Sequence, residues 1–126
     1  MEQQTTQILV VDDNPEIRDI IHVLLEGEGI RVTEAADGSS ALHFLEKGSF
    51  DLIILDIMMP GMDGLEMCRK IRETNNIPII MLSARSADLD KILGLGTGAD
   101  DYVTKPFNPL ELTARVKSQL RRYTQL

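Results

Sequence analysis

Asp12, Asp13, Asp56, Ser83 and Lys105 each stand directly after a short run of strand-forming residues: Ile8 to Val11, Leu52 to Leu55, Ile79 to Leu82 and Tyr102 to Thr104. If those runs lie parallel in one sheet, their C-terminal ends share an edge. Three carboxylates, a hydroxyl and an ammonium then meet in the crevice where open α/β sheets hold ligands. Carboxylates crowded in this way repel, and at least one pKa rises unless a cation sits among them. A hard divalent ion answers that need. Mg²⁺ takes oxygen ligands and is typically held by one or two carboxylates plus phosphate oxygens, and Mn²⁺ suits the same donors. Phosphoryl transfer asks for the rest of the set, because its equatorial oxygens must be neutralised by cations and hydrogen-bond donors such as Lys105 and Ser83. Asp56 is then the natural acceptor, a carboxylate nucleophile giving an aspartyl-phosphate.

Each of these residues also has a plainer reading. An isolated Asp pair is commonly a solvated turn, a lone lysine a surface group, and Ser83 a cap for the following helix. Asp56 weighs against the turn reading, since it ends the most apolar strand and is followed by Ile57-Met58-Met59. Other features carry less. Gly94, Gly96 and Gly98 follow a helix and precede a strand, the reverse of a phosphate-binding loop. His22 and His43 lie within helices without a ligand-spaced His or Cys partner, and Cys68 reads as a helix-packing residue. Met58, Met59 and Met62 read as loop and core filling.

The elements that must position the set follow from hydrophobic period, which alternates between short β-branched runs and stretches of helical spacing. Arg31 to Glu34 supplies a fifth strand, the least apolar and therefore expected at an edge. Asn14-Pro15-Glu16, Asp63-Gly64-Leu65-Glu66 and Asn108-Pro109-Leu110-Glu111 are helix starts, with a capping side chain and, twice, proline at the first helical position. Helices near Ser39 to Lys47 and Ser86 to Leu95 complete five strand-helix units, and Gly27, Gly29 and Gly48 stand where helices should stop. The expected fold is α/β: a doubly wound five-stranded parallel sheet, flavodoxin-like (βα)₅, with helices on both faces.

Composition bounds the function. The 126 residues fit one domain, and 43% hydrophobic with 26% charged residues is globular. A net charge of -7 opposes direct binding to nucleic acid by this domain. No apolar run suits a membrane span, Met1 to Gln7 is not signal-like, and the single cysteine agrees with a reducing compartment, so a cytoplasmic location is expected.

The segments VVDDN, LDIMMPGMDG, LSAR and YVTKPF resemble, in order and spacing, the motifs of the receiver domain of bacterial two-component response regulators, over essentially residues 1–126. The resemblance implies a phosphorylation-activated switch rather than an enzyme with an external substrate, catalysing only its own phosphorylation and dephosphorylation. It makes Asp56 the phosphoacceptor served by a sensor histidine kinase, and implies that Mg²⁺ is held by Asp13, Asp56, the Met58 backbone carbonyl and Asp12 through water. It assigns Ser83 and Tyr102 to the switch, Lys105 to the phosphoryl group, a cis Lys105-Pro106 bond, and side chains at Met58 and Arg85 that tune dephosphorylation. GADDYVTKPFNPLEL and the residues after it resemble the OmpR/PhoB branch, which carries a DNA-binding domain after the receiver and begins its linker at about 123–126. In that branch phosphorylated receivers form homodimers to control transcription. Carried over, Lys91, Asp100 and Asp101 would face Glu111, Arg122 and Arg115 of the second copy around an apolar centre of Ile92, Leu95 and Ala114.

Two rival functions use the same features. A phosphatase of the haloacid dehalogenase type also has a strand-end Asp nucleophile, but wants a second Asp two residues on, where this chain has Met58, and a cap domain. A flavodoxin-like electron carrier wants a hydroxyl-rich first loop and aromatic flanks, where this chain has Asp12-Asp13-Asn14 and no Trp.

Overall fold

Short runs of β-branched and aliphatic residues can satisfy their backbone N–H and C=O groups only by pairing with neighbours, and this sets the frame of the molecule. The computed structural model describes residues 5–59, 61, 63–84 and 98–124. Its strands are β1 (Gln7–Val11), β2 (Arg31–Ala35), β3 (Leu52–Asp56), β4 (Ile79–Ser83) and β5 (Asp101–Thr104). They form one parallel sheet in the order β2-β1-β3-β4-β5, the flavodoxin-like doubly wound order. β2 occupies an edge, as its polar content required, whereas β3 and β4 are buried along their whole length.

The described helices are α1 (Pro15–Glu26), α2 (Gly38–Lys47), α3 (Gly64–Arg72) and a C-terminal helix (Pro109–Thr124). Their starts are chemically marked. Asn14 Oδ1 accepts from the Glu16 N–H at 2.9 Å, Asp63 Oδ1 from Glu66 at 2.9 Å, and Asn108 Oδ1 from Leu110 at 2.8 Å. Each such cap contributes about 1 kcal/mol. At α2 the cap is Asp37, accepting from the Ser40 N–H at 2.7 Å, so that helix starts slightly ahead of the expected Ser39. After α1 the left-handed residue is Gly29, with φ of 79°, rather than Gly27. The expected helix Ser86 to Leu95 lies outside the described residues.

Alternation along the strands splits the core in two. Ile8, Val10, Leu52, Ile54, Ile80, Leu82 and Val103 pack under Ile21 and Leu25 of α1 and Leu112 and Val116 of the C-terminal helix. Leu9, Val11, Ile53, Leu55, Ile79 and Met81 pack under α2 and α3, where Cys68 is a buried packing residue. Met59 joins this core, but Met58 is exposed, so the expected filling role holds for one of the pair. Among the described residues no helix is long and apolar enough to cross a membrane.

Opposite the ligand edge, Arg72 at the end of α3 ties three segments together. Its guanidinium donates to the carbonyls of Gly98 at 2.8 Å and Ile77 at 2.6 Å and pairs with Asp100 Oδ2 at 2.7 Å. That same Asp100 oxygen accepts from the Ile79 N–H at 2.8 Å, which fixes the entries to β4 and β5 together. Replacing Arg72 by Met keeps most of the stem and removes every donor, leaving the Asp100 carboxylate without its cation. The expected loss is about 2 kcal/mol, read as a lower urea midpoint.

Candidate functional site

Sheet register brings the reactive residues together. Val11 lies opposite Leu55, so Asp12 and Asp56 follow side by side; Asp56 lies opposite Leu82 and Ser83 opposite Thr104, the residue before Lys105. β1 is also where strand order reverses, with β2 on one side and β3 on the other, which is where doubly wound sheets open a crevice. Asp12 is fully buried, Asp56 and Ser83 nearly so, and Asp13 is exposed at the mouth.

Among the described residues, one ammonium faces this acidity. Lys105 Nζ lies 2.9 Å from Asp12 Oδ2 and 3.4 Å from Asp56 Oδ1, and the Lys105 N–H donates to the Ser83 carbonyl at 2.6 Å. The Lys105-Pro106 bond is cis. Asp12 Oδ1 accepts from the Asn14 N–H at 2.9 Å, and Asp56 Oδ1 lies 3.4 Å from the Met58 N–H. Burial, then the Asp12 charge, raise the Asp56 pKa above its ordinary value, and Lys105 opposes them without cancelling them. Burial works to lower the Lys105 pKa, but the hydrogen bond to Asp12 and the Asp56 charge outweigh it, so the ammonium is held.

The donor chemistry fits a hard cation. Asp12, Asp13 and Asp56 each offer a carboxylate oxygen, all within 4.8 Å of one another, and among the described residues the one lysine beside them does not balance three such groups. A divalent ion bound by oxygen donors would.

Two positioning features are not apparent in the sequence motifs. The Gly64 N–H donates to the Ile57 carbonyl at 2.9 Å, and a Cβ there would come within 2.3 Å of the Asp56 carbonyl oxygen and 2.8 Å of Ile57 Cα. The start of α3 thus rests on the backbone that carries Asp56, and only glycine permits it. Arg18 donates to the Asp12 carbonyl at 2.7 Å while its Nε lies 3.1 Å from Glu34 Oε1. Asp63-Gly64-Leu65-Glu66 marks residue 64 only as a helix start, and Glu34 is remote in sequence, so neither contact has a local signal.

Tyr102 is half-buried against the α2-α3 side of the core, and Met58 is 72% exposed beside the acidic cluster. Of the expected dimer face, Lys91, Ile92 and Leu95, like Arg85 and Met62 elsewhere, lie outside the described residues. Asp100 is engaged by Arg72, and Asp101 Oδ1 pairs with Arg115 of the same chain at 2.7 Å. Arg115 also lies 3.6 Å from Glu111, while Glu111, Ala114 and Arg122 are exposed.

Residues 8–117 match the family model described as the response regulator receiver domain. The chain is 54% identical over 117 residues to the regulatory protein VanRc of Enterococcus gallinarum, covering 93% of this chain and 51% of that protein. It is 46% identical over 122 residues to the DNA-binding response regulator MtrA of Mycolicibacterium smegmatis, covering 97% and 54%. The chain therefore spans about half the length of these relatives. The solved receiver domain of the Francisella response regulator 1452 superposes with a TM-score of 0.87 at 40% identity, covering 94% of this chain and 99% of that one.

Because the folded state raises the Asp56 pKa, ionising this carboxyl costs stability. The cost is present in full above the folded pKa and disappears as pH falls to the ordinary value of 3.8. Asp56→Asn should accordingly raise the melting temperature at neutral pH by roughly 3–5 °C, for about 1 kcal/mol in a domain of this size, with the gain vanishing below about pH 4 in a melting series. Gly64→Ala should have the opposite effect, lowering stability by about 2 kcal/mol in chemical denaturation and shifting the Asp56 amide NMR signal.

Proposed function

The chain belongs to the response regulator receiver domain family, in its OmpR/PhoB branch, and on that premise we propose that Asp56 accepts a phosphoryl group from the phosphohistidine of a sensor histidine kinase. The observation that carries the reading is the constellation itself: a buried strand-end carboxylate beside a second one, with an ammonium 3.4 Å from its Oδ1 and an exposed third carboxylate at the mouth. In the transfer, the bond from phosphorus to the histidine nitrogen breaks, a bond from phosphorus to an Asp56 carboxylate oxygen forms, and the imidazole leaves with the electron pair. Lys105, already beside Asp56, is placed to neutralise a phosphoryl oxygen, and Ser83 at the end of the adjacent strand offers a hydroxyl to another.

Asp13, Asp56 and the Met58 carbonyl would hold Mg²⁺ or Mn²⁺, with Asp12 acting through water. When bound, the ion supplies positive charge to the acceptor carboxylate and the phosphoryl oxygens. The domain has no external substrate in this reading and catalyses only its own phosphorylation and dephosphorylation. The phosphatase alternative lacks its general acid, since the residue two past Asp56 is Met58.

Movement of Ser83 toward the phosphoryl group, with Tyr102 packing further inward, would shift the population toward a homodimer. Its face would comprise Lys91, Ile92, Leu95, Asp100, Asp101, Glu111, Ala114, Arg115 and Arg122. Asp101 and Arg115 would exchange an intrachain partner for one across the two-fold. The output would pass to a DNA-binding domain outside these 126 residues, as the name of the MtrA relative suggests, since the acidic receiver itself is unsuited to nucleic acid. A cytoplasmic site of action follows from a kinase partner of this kind.

Incubation with acetyl phosphate and Mg²⁺ should add the mass of one phosphoryl group in intact mass spectrometry, with a shift toward dimer in size-exclusion chromatography. Uptake that persisted unchanged in Asp56→Ala, or that needed no divalent ion, would sink the assignment.

A further inference from the structure

We propose that His22 is a pH-responsive positioning residue for the Asp12 end of the acidic cluster, acting through Glu34 and Arg18. The inference rests on the reading of Asp12, Asp13 and Asp56 as a divalent-cation and phosphoryl site. Four contacts make the path. His22 Nε2 lies 2.9 Å from Glu26 Oε2 and Nδ1 lies 2.7 Å from Glu34 Oε2. The other Glu34 oxygen lies 3.1 Å from Arg18 Nε, and the same guanidinium donates to the Asp12 backbone carbonyl at 2.7 Å. The Asp12-Asp13 peptide that this carbonyl belongs to orients both carboxylates of the pair.

The chemistry of imidazole makes this path sensitive to pH. A neutral ring carries one N–H and one lone pair, so it cannot donate to carboxylates on both sides; only the imidazolium can. Of the charged groups around the ring, the carboxylates favour that form and the cations oppose it. On α1 itself Arg18, Asp19 and Glu26 lie within about one turn of it, and β2 contributes Glu34. The C-terminal helix, which also packs on α1, brings Lys117 to Glu28 just past the end of α1. The Glu34 hydrogen bond, opposed by burial and helped by Glu26, raises the His22 pKa above its ordinary 6.5. With 33% of its side chain accessible, the ring exchanges protons with solvent directly.

Loss of the proton turns a lone pair toward one carboxylate and opens that contact. In the tautomer whose N–H stays on Glu26 the contact that opens is the one to Glu34. Among the described residues Arg18 is then the cation left on Glu34, and its guanidinium is freer to follow that carboxylate away from the Asp12 carbonyl. The sign follows from the raised folded pKa: the stabilisation is complete below about pH 6.5, the unfolded value, and is lost as pH rises through the folded value.

The test is the Mg²⁺ dissociation constant of the parent, His22→Gln and Arg18→Gln chains, measured by amide NMR shifts between about pH 6 and pH 9 while the His22 ring is titrated in the same samples. His22→Gln should bind roughly two- to three-fold more weakly than the parent at the acid end, a modest coupling. It should match the parent at the alkaline end, with the change centred on the ring's own midpoint. In the Arg18→Gln background, replacing His22 should make no pH-dependent difference. A parent-to-variant ratio that stays constant with pH, or a ring that titrates below its ordinary value, would overturn the proposal while leaving the cation site standing. Absence of Mg²⁺ binding in the parent at every pH would overturn the site reading, and this inference with it.

Discussion

Everything in this molecule is arranged around the cost of putting carboxylates next to one another at the end of a buried sheet. Asp12 and Asp56 are brought side by side by the β1-β3 register, and both are almost wholly withdrawn from solvent. In such surroundings a charge persists only with partners. Lys105 reaches both from the far side of β4, so the end of the fifth strand is needed to hold the ends of the first and third. The sheet order is thus a condition for the site's electrostatics as well as for the core.

The acidic cluster is braced by contacts to main chain. Asp12 is gripped at its carboxylate by the Asn14 N–H and at its carbonyl by Arg18, and Asp56 lies against the first turn of α3. On the opposite edge, Arg72 secures the entries of β4 and β5 through two carbonyls and Asp100. Among the described residues, one end of the sheet is closed by the Arg72-Asp100 ion pair and the other carries three carboxylates against one lysine.

Much of this was legible beforehand because the signals were local. Strand runs ending in Asp56 or Ser83, caps at Asn14, Asp63 and Asn108, and the polar edge strand each announce themselves within a few residues, and the structure bears them out to within a residue or two. The constellation needed one further assumption, parallel pairing, which alternating helices supply. What escaped was non-local or steric. Asp37 capped α2 ahead of the expected start, and the role of Met58 divided from that of Met59 because one side chain turns outward. The partners of His22 show why reading helices singly falls short: Glu26 is visible four residues on, whereas Glu34 arrives only once β2 has paired with β1.

The bare hydrogen at position 64 works as a spacing gauge. Because the first residue of α3 meets the end of β3 through main chain on both sides, the approach of the helix start to the acceptor is set by atoms that every sequence shares, while Met67, Cys68 and Ile71 pack the rest of the helix by side chain. Glu66, Arg69 and Lys70 lie exposed on the outer side of the same helix, away from that contact. Surface identity and acceptor geometry are in this way separable properties of the same helix, so the outer face of α3 can change its contacts while the chemistry beneath keeps its dimensions.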